Sequence, residues 1–236
     1  MTYERTGRVV ALYSVYNVEK LIRNSMTSAL PFTDEFIVVD GRYEAFKCPC
    51  KEDHDNSCDR TAKEVERFAS ETGANVRYLQ KSVMPEFDKR NFMFDLVPLG
   101  DTCVIIDDDE IFYGETVNIS NFADPAGGPQ WEGWRAAWVL CTKWRHSFDR
   151  QDRVFVKTEG LRHVQAIPGS FSYSFADKDG VIKPEEYMQL PNVRMINLYG
   201  TANEIGYREQ SRDGARAAYN ELGINRRLPM GKTTVP

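Results

Sequence analysis

The stretch TCVIIDDDEIF, residues 102–112, runs five β-formers straight into four consecutive acids, Asp107 to Glu110. A buried strand that ends on adjacent carboxylates must have their repulsion and desolvation compensated. A metal ion, a cluster of cations or plain exposure to water could do so. In an extended strand end, residues i and i+2 share a side, so Asp107 and Asp109 are expected on one side and Asp108 on the other. Two carboxylates at a rim suit a hard divalent ion. Mg²⁺ or Mn²⁺ typically takes one or two protein carboxylates and fills its shell with phosphate oxygens and water. The plain alternative is a solvated acidic turn.

Working outward, the segments before this strand alternate. RVVALYSVY, 8–16, reads as a buried strand. Asn17 is placed to cap a helix over about Val18 to Leu30, which carries Leu21, Ile22, Ser25 and Met26 on one face and is stopped by Pro31. EFIVVD, 35–40, is a second strand. Residues 41–58 are irregular, charged and Cys-rich. DRTAKEVERFASETG, 59–73, predicts a helix capped by Asp59 and ended by Gly73. NVRYLQ is a third strand, and a helix from Pro85 to Val97, closed by Gly100, leads into the fourth. A β-α-β-α-β-α-β order predicts a mostly parallel α/β sheet flanked by helices. Ligands of such sheets bind beyond the carboxyl ends of the strands, which is where Ser14 to Asn17, Asp40 and Asp107 to Asp109 fall.

After DPAGGPQ, 124–130, the pattern changes. GWRAAWVLCTKWRH, DRVFVKT and LRHVQ read as antiparallel strands, 201–223 as a terminal helix, and GINRRLPMGKTTVP, 223–236, as a polar tail. The expected division is residues 1–123 and 124–236, joined as one continuous domain with a mixed or antiparallel second portion.

The 236 residues are 42% apolar, with a net charge of −5 and a mean hydropathy of −0.50. That balance suits a globular protein and argues against wholesale nucleic-acid binding. No signal peptide and no run of roughly 20 apolar residues is present, so the cytoplasm is the expected compartment. The five cysteines do not form a secreted disulfide framework.

The ordered segments SVYNVEKLIRNSMTSAL, FIVVDG, DRTAKEVERFA and DKRNFMFDLVPLGDTCVIIDDDEIF together resemble glycosyltransferase family 2, over about residues 8–112. A weaker echo continues in DRVFVKTEGLRHV and the last helix. The resemblance implies a GT-A fold and a transferase using a nucleotide-diphosphate sugar, a divalent Mn²⁺ or Mg²⁺, and a hydroxyl acceptor, with inversion as the expected outcome. It places Ser14, Val15 and Tyr16 against the base, Asp40 on base or ribose, and Lys89 or Arg90 facing the nucleotide. Asp107, Asp108 and Asp109 would hold the ribose and the metal–diphosphate, with Asp107 and Asp109 as metal ligands. The chain departs from the family at Val18, where Glu is common after the Asn, and it lacks the late Glu-Asp pair that supplies the base. A His often completes the metal shell, but the matching region reads AIPGSFSY, with His163 nearby.

Cys48, Cys50, His54 and Cys58 form C-x-C-x3-H-x3-C, a set that could hold a structural Zn²⁺ in the insertion or be incidental thiols in a loop. Trp131, Trp134, Trp138 and Trp144 could stack on sugars, though core positions suit them equally well. Glu132, in a Gly-rich loop, is the first candidate for a general base, with Asp152, Asp177 and Glu185 competing. Arg208, Arg212 and Arg216 make a basic stripe that could meet a diphosphate or stay solvated. Two other functions stand beside the transferase: a nucleotidyltransferase, which would release pyrophosphate, and a non-catalytic module whose acids bind Ca²⁺ or a basic partner. The expected nucleotidyltransferase glycine-rich phosphate loop is missing.

Overall fold

The computed structural model describes residues 5–44, 54–131, 133–143, 147–165 and 173–197. The first half alternates as its periodicity predicts: β1 (Val9–Val15), α1 (Ile22–Ala29), β2 (Glu35–Asp40), α2 (Thr61–Thr72), β3 (Val76–Gln80), α3 (Glu86–Asp95) and β4 (Thr102–Asp107). Then follow β5 (Glu110–Gly114), α4 (Val117–Ala123), β6 (Ala136–Lys143), β7 (Ser147–Val156), β8 (Arg162–Gln165), β9 (Tyr173–Asp177), β10 (Gly180–Val181) and β11 (Tyr187–Asn197). Eight strands form one sheet in the order β3-β2-β1-β4-β7-β6-β11-β5, and β10-β9-β8 form a smaller antiparallel sheet.

The four strands β3, β2, β1 and β4 are mutually parallel. Their side chains divide by the two-residue period. Val9, Ala11, Tyr13 and Val15 of β1 enter one core with Ile22 and Met26 of α1 and Val65 and Phe68 of α2. Val10 and Leu12 enter the opposite core with Met93 and Phe94 of α3 and with Leu161 and Phe175 at the small sheet. Burial on both faces explains why these strands read as continuous apolar runs.

Register builds the rim. Ser14 lies opposite both Val39 and Asp107, and Val15 lies opposite Asp40. The carboxyl ends of β1, β2 and β4 therefore bring together residues far apart in sequence, such as Ser14 and Asp107.

Several local expectations are corrected. The first helix begins at Ile22, not Val18, and Asn17 does not cap it. Asn17 sits at φ 56°, in the left-handed region. The backbone N–H groups of Asn17, Val18 and Glu19 instead donate to the side chains of Ser57, Thr61 and Asp59 at 2.8, 2.8 and 3.0 Å. Gly73 closes α2 as expected, at φ 70°, but the N-cap position falls on Arg60 and not Asp59, which lies one residue earlier and accepts from the Thr61 N–H at 2.9 Å. In the second half β6 and β7 are antiparallel as expected, but β6 pairs parallel with β11, and β8 belongs to the small sheet. The expected helix over 201–223, with Arg208, Arg212 and Arg216, lies outside the described residues, as does Trp144. Trp131 is core, at 3% exposure.

Candidate active site

β4 ends at Asp107, and Asp108 and Asp109 form a turn into β5, which pairs with β11 rather than returning along β4. The extended geometry that would set Asp107 and Asp109 on one side is therefore absent. The turn is held from below by Ser25 of α1, whose hydroxyl donates to the Glu110 carbonyl at 2.6 Å and lies 3.2 Å from the Tyr13 hydroxyl.

Cations contact two of the four acids but outweigh burial only at Asp107; burial, opposed by Arg153, still pushes the Glu110 carboxyl up to about 8. Asp107 Oδ1 accepts from Arg90 Nη2 at 3.1 Å, and Oδ2 accepts from Arg153 Nη2 at 2.9 Å. The same Arg153 nitrogen bonds Glu110 Oε1, while Glu110 Oε2 accepts the Asp107 N–H at 2.9 Å. Burial opposes ionisation of Asp107, but Arg153 and Arg90 outweigh it and hold its carboxyl well below the usual range. Asp107, assigned to a metal by its position in the motif, thus has both oxygens on guanidiniums.

Asp108 and Asp109 form no ion pair among the described residues. Asp109 accepts only a 3.2 Å bond from the Asn197 amide. Burial, then Asp107 and Glu110, pushes the Asp108 carboxyl up to about 7. Burial, then Asp108 and Asp107, pushes Asp109 up to about 8. These are hard oxygen donors at the open end of a parallel sheet, whose ionised form burial and the neighbouring acids disfavour in the absence of a cation. The residues fit a divalent cation, with Asp108 and Asp109 rather than Asp107 as the ligands in want of one. Among the described residues no group of three or more His, Cys, Asp or Glu is arranged to complete the shell from protein alone.

Arg153 stands in DRVFVKTEGLRHV, the weaker echo of the family, but that stretch by itself assigns it no role. It lies 46 residues from Asp107. On β7, Val154 pairs with Ala137 while Asp152 pairs with Trp138, so Arg153 is the extra residue of a β-bulge. A bulge turns one side chain out of the strand's alternation, and here it aims a guanidinium at the end of β4.

The remaining expected residues fall in different places. Asp40 is fully buried and does not face the rim's open side. Its carboxylate accepts from the Ser57 N–H and hydroxyl, the latter at 2.7 Å, and from the Tyr78 hydroxyl at 2.5 Å. It pins the segment after the insertion to β2, and Asn17 Oδ1 pins the next turn by accepting the Cys58 N–H at 2.8 Å. Ser14 Oγ lies 2.6 Å from the Tyr43 hydroxyl, Val15 is buried, and the Tyr16 hydroxyl donates to the His54 carbonyl at 3.1 Å. Lys89 is buried, at 1% exposure, and donates to the carbonyls of Val15 and Gly41 beneath the rim.

That burial gives Lys89 a testable signature. Desolvation lowers its ammonium from the ordinary 10.5 to about 7, and a neutral amine still has two N–H groups for the two carbonyls. The unfolded chain holds the extra proton up to about 10.5, so the folded state is penalised below about 7 and relieved as pH rises between those values. Relative to Lys89→Met, the parent protein should gain thermal stability between pH 7 and 10. Parallel melting curves for the two across that window would expose a Lys89 that keeps its ordinary pKa.

Cys48, Cys50 and Glu132 lie outside the described residues. His54 is exposed and Cys58 is disulfide-bonded, so Cys58 has no thiolate to give a zinc ion, and the zinc expectation gains no support. His163 is buried, its ring 5.1 Å from that of Phe87 and 4.8 Å from that of Phe175. Burial, then Arg90 and Arg153, pushes it down to about 3, so it is a neutral imidazole beside the arginine pair. Asp177 is not available as a base, because it is locked in an ion pair with Arg135 at 2.8 Å and its side chain is 0% exposed. Asp152 pairs with Arg150 at 2.8 Å and keeps a third of its side chain exposed, and Glu185 is exposed.

The fold is the mixed α/β arrangement of GT-A nucleotide-sugar transferases. A mannosyltransferase from Pyrobaculum calidifontis, PcManGT, solved with GDP-Man and Mn²⁺, aligns with 97% of this chain and 67% of its own, at 15% identity and a TM-score of 0.51. S. aureus TarS 1-349 aligns over 57% of this chain and 35% of its own, at 20% identity and a TM-score of 0.40. Glucosyl-3-phosphoglycerate synthase from Mycobacterium tuberculosis, with Mn²⁺, UDP and glucosyl-3-phosphoglycerate, aligns over 57% of this chain and 44% of its own, at 20% identity and a TM-score of 0.37. The chain thus spans about a third of TarS 1-349. No family model and no curated protein matches the sequence. No helix among the described residues is long and apolar enough to cross a membrane.

Proposed function

We propose that this chain is a metal-dependent glycosyltransferase that moves a sugar from a nucleotide-diphosphate donor to a hydroxyl acceptor, with inversion. One observation carries the reading: the uncompensated carboxyls of Asp108 and Asp109, set where β4 ends beside β1 and β2. Support comes from the fold shared with PcManGT, which was solved with GDP-Man and Mn²⁺.

Asp109, with Asp108, would hold Mn²⁺ or Mg²⁺, which when bound neutralises charge on the departing diphosphate. The chain's own groups do the rest. Asp107 and Glu110 keep Arg153 at the rim, and Asp107 and Glu86 keep Arg90 there. Lys89 fixes the backbone at Val15 and Gly41, so the ends of β1 and β2 stay in register. A carboxylate of the second portion would take the acceptor's proton as its oxygen attacks the anomeric carbon. Glu132 and the partly exposed Asp152 are the candidates for that role.

Calorimetric titration with GDP-mannose and with UDP-sugars, each with Mn²⁺ and then with EDTA, tests the reading. Binding should appear with Mn²⁺ and weaken at least about tenfold without it, since a lost metal–phosphate contact is worth more than a single charged hydrogen bond. Equal affinity in EDTA would remove the metal from the mechanism, and no binding in either buffer would remove the donor.

A further inference from the structure

The geometry points to Arg153 as a residue that binds the donor's diphosphate, presented by the bulge of β7 and positioned by Asp107 and Glu110. The inference deepens the proposed donor site and rests on that reading.

Among the guanidinium's three nitrogens, only Nη2 is engaged within the described residues, with Asp107 and Glu110. Nε is buried and has no partner. Guanidinium donors left open in a nearly buried side chain are costly unless an acceptor arrives, and a forked cation matches phosphate oxygens best. The side chain is 12% exposed, which leaves an edge at the rim, beside an Asp107 that is 31% exposed. The bulge costs the sheet a regular rung, and it places this fork between the acid turn and the open end of β4.

Charge explains why the arginine is held by acids and still free to act. Burial opposes its charge, but Glu110 and Asp107 raise the guanidinium's pKa, so it stays a cation whatever the ligand state. Arg90 on the other oxygen of Asp107 gives that carboxylate a second cation, so Asp107 stays compensated when Arg153 shares its donors with phosphate. Asp107 is then a positioning residue and not a metal ligand.

The test compares a nucleoside diphosphate with its own monophosphate, in Mn²⁺ and in EDTA, by calorimetry. GDP and GMP, or UDP and UMP, are used according to which the parent protein binds. Arg153→Met alone would strand the buried Glu110 carboxylate, so the deciding variant is Arg153→Met with Glu110→Gln, which removes the pair together. It should keep the parent's circular dichroism and lose about 10- to 100-fold in diphosphate affinity, in both buffers, while monophosphate affinity changes about threefold or less. Arg153→Lys, with the charge but not the fork, should fall between. Equal losses for diphosphate and monophosphate would make Arg153 a structural residue only, and no loss for either would overturn the inference. A parent protein that binds no nucleoside diphosphate sinks the donor reading itself, a result visible before any variant is made.

Discussion

Asp109→Asn should abolish sugar transfer, by at least about a hundredfold, and yet melt at the same temperature as the parent or higher in metal-free buffer. The two halves of the expectation come from one cause. Burial disfavours the Asp109 charge, and Asp108 and Asp107 repel it, while its one hydrogen bond is 3.2 Å long and comes from a neutral amide. An amide in its place removes repulsion from the folded state and takes away a hard anionic ligand. A residue kept for packing would show the reverse, lower stability with activity retained. Asp107→Asn makes the contrast. It strips the partner from Arg90 and Arg153, so it should lower the melting temperature as well as activity. Thermal melts and donor turnover on the two variants separate the roles. An Asp109→Asn protein that turns over donor at the parent's rate would take the metal away from this turn.

The question raised by four consecutive acids is answered unevenly, and the unevenness is physical. Strand ends, helices and the parallel half of the sheet are local matters of periodicity and punctuation, so β1 to β4 and α1 to α3 were legible within a few residues at their ends. Arg153 was not, because its importance depends on a bulge set by pairing with β6, and a bulge leaves no mark in one sequence. β11 was missed for a related reason. Its Pro191–Asn192 pair, with Asn192 at φ 54°, reads as a turn but sits at a register shift inside the strand. β5 was hidden behind the acids that precede it. Asp40 and Lys89 were legible as polar residues at strand and helix positions near the rim. Their direction was not, since both turn inward to partners on other segments, Ser57 and Tyr78 for one and the carbonyls of Val15 and Gly41 for the other. The sequence alone allowed a metal, cations or solvent as compensation. Cations contact Asp107 and Glu110, and the metal proposal now concerns Asp108 and Asp109.

Asp177→Ala should destabilise the protein by about 3 kcal/mol, the cost of taking from a buried cation the more deeply buried of its two carboxylate partners. Arg135, just before β6, donates from Nη1 to both oxygens of Asp177 at 2.9 and 2.8 Å and pairs through Nη2 with Glu186 at 2.7 Å. Asp177, at the end of β9, also accepts from the Thr158 hydroxyl and the Asp179 N–H, each at 2.9 Å. The pair is 5% and 0% exposed, so water cannot replace a lost partner. It joins the eight-stranded sheet to the small one, and Phe175, two residues before Asp177, packs its ring 4.1 Å from that of Phe155 on β7. Loosening this joint therefore reaches the strand that carries Arg153. Arg135→Met with Asp177→Leu, which replaces both charges by apolar groups, should recover most of the loss, because a buried pair is costly to break and cheap to exchange for apolar packing. Urea unfolding of the parent, both single variants and the double measures the coupling. Additive single effects would show that the two side chains act separately and that the small sheet is held by its apolar contacts alone.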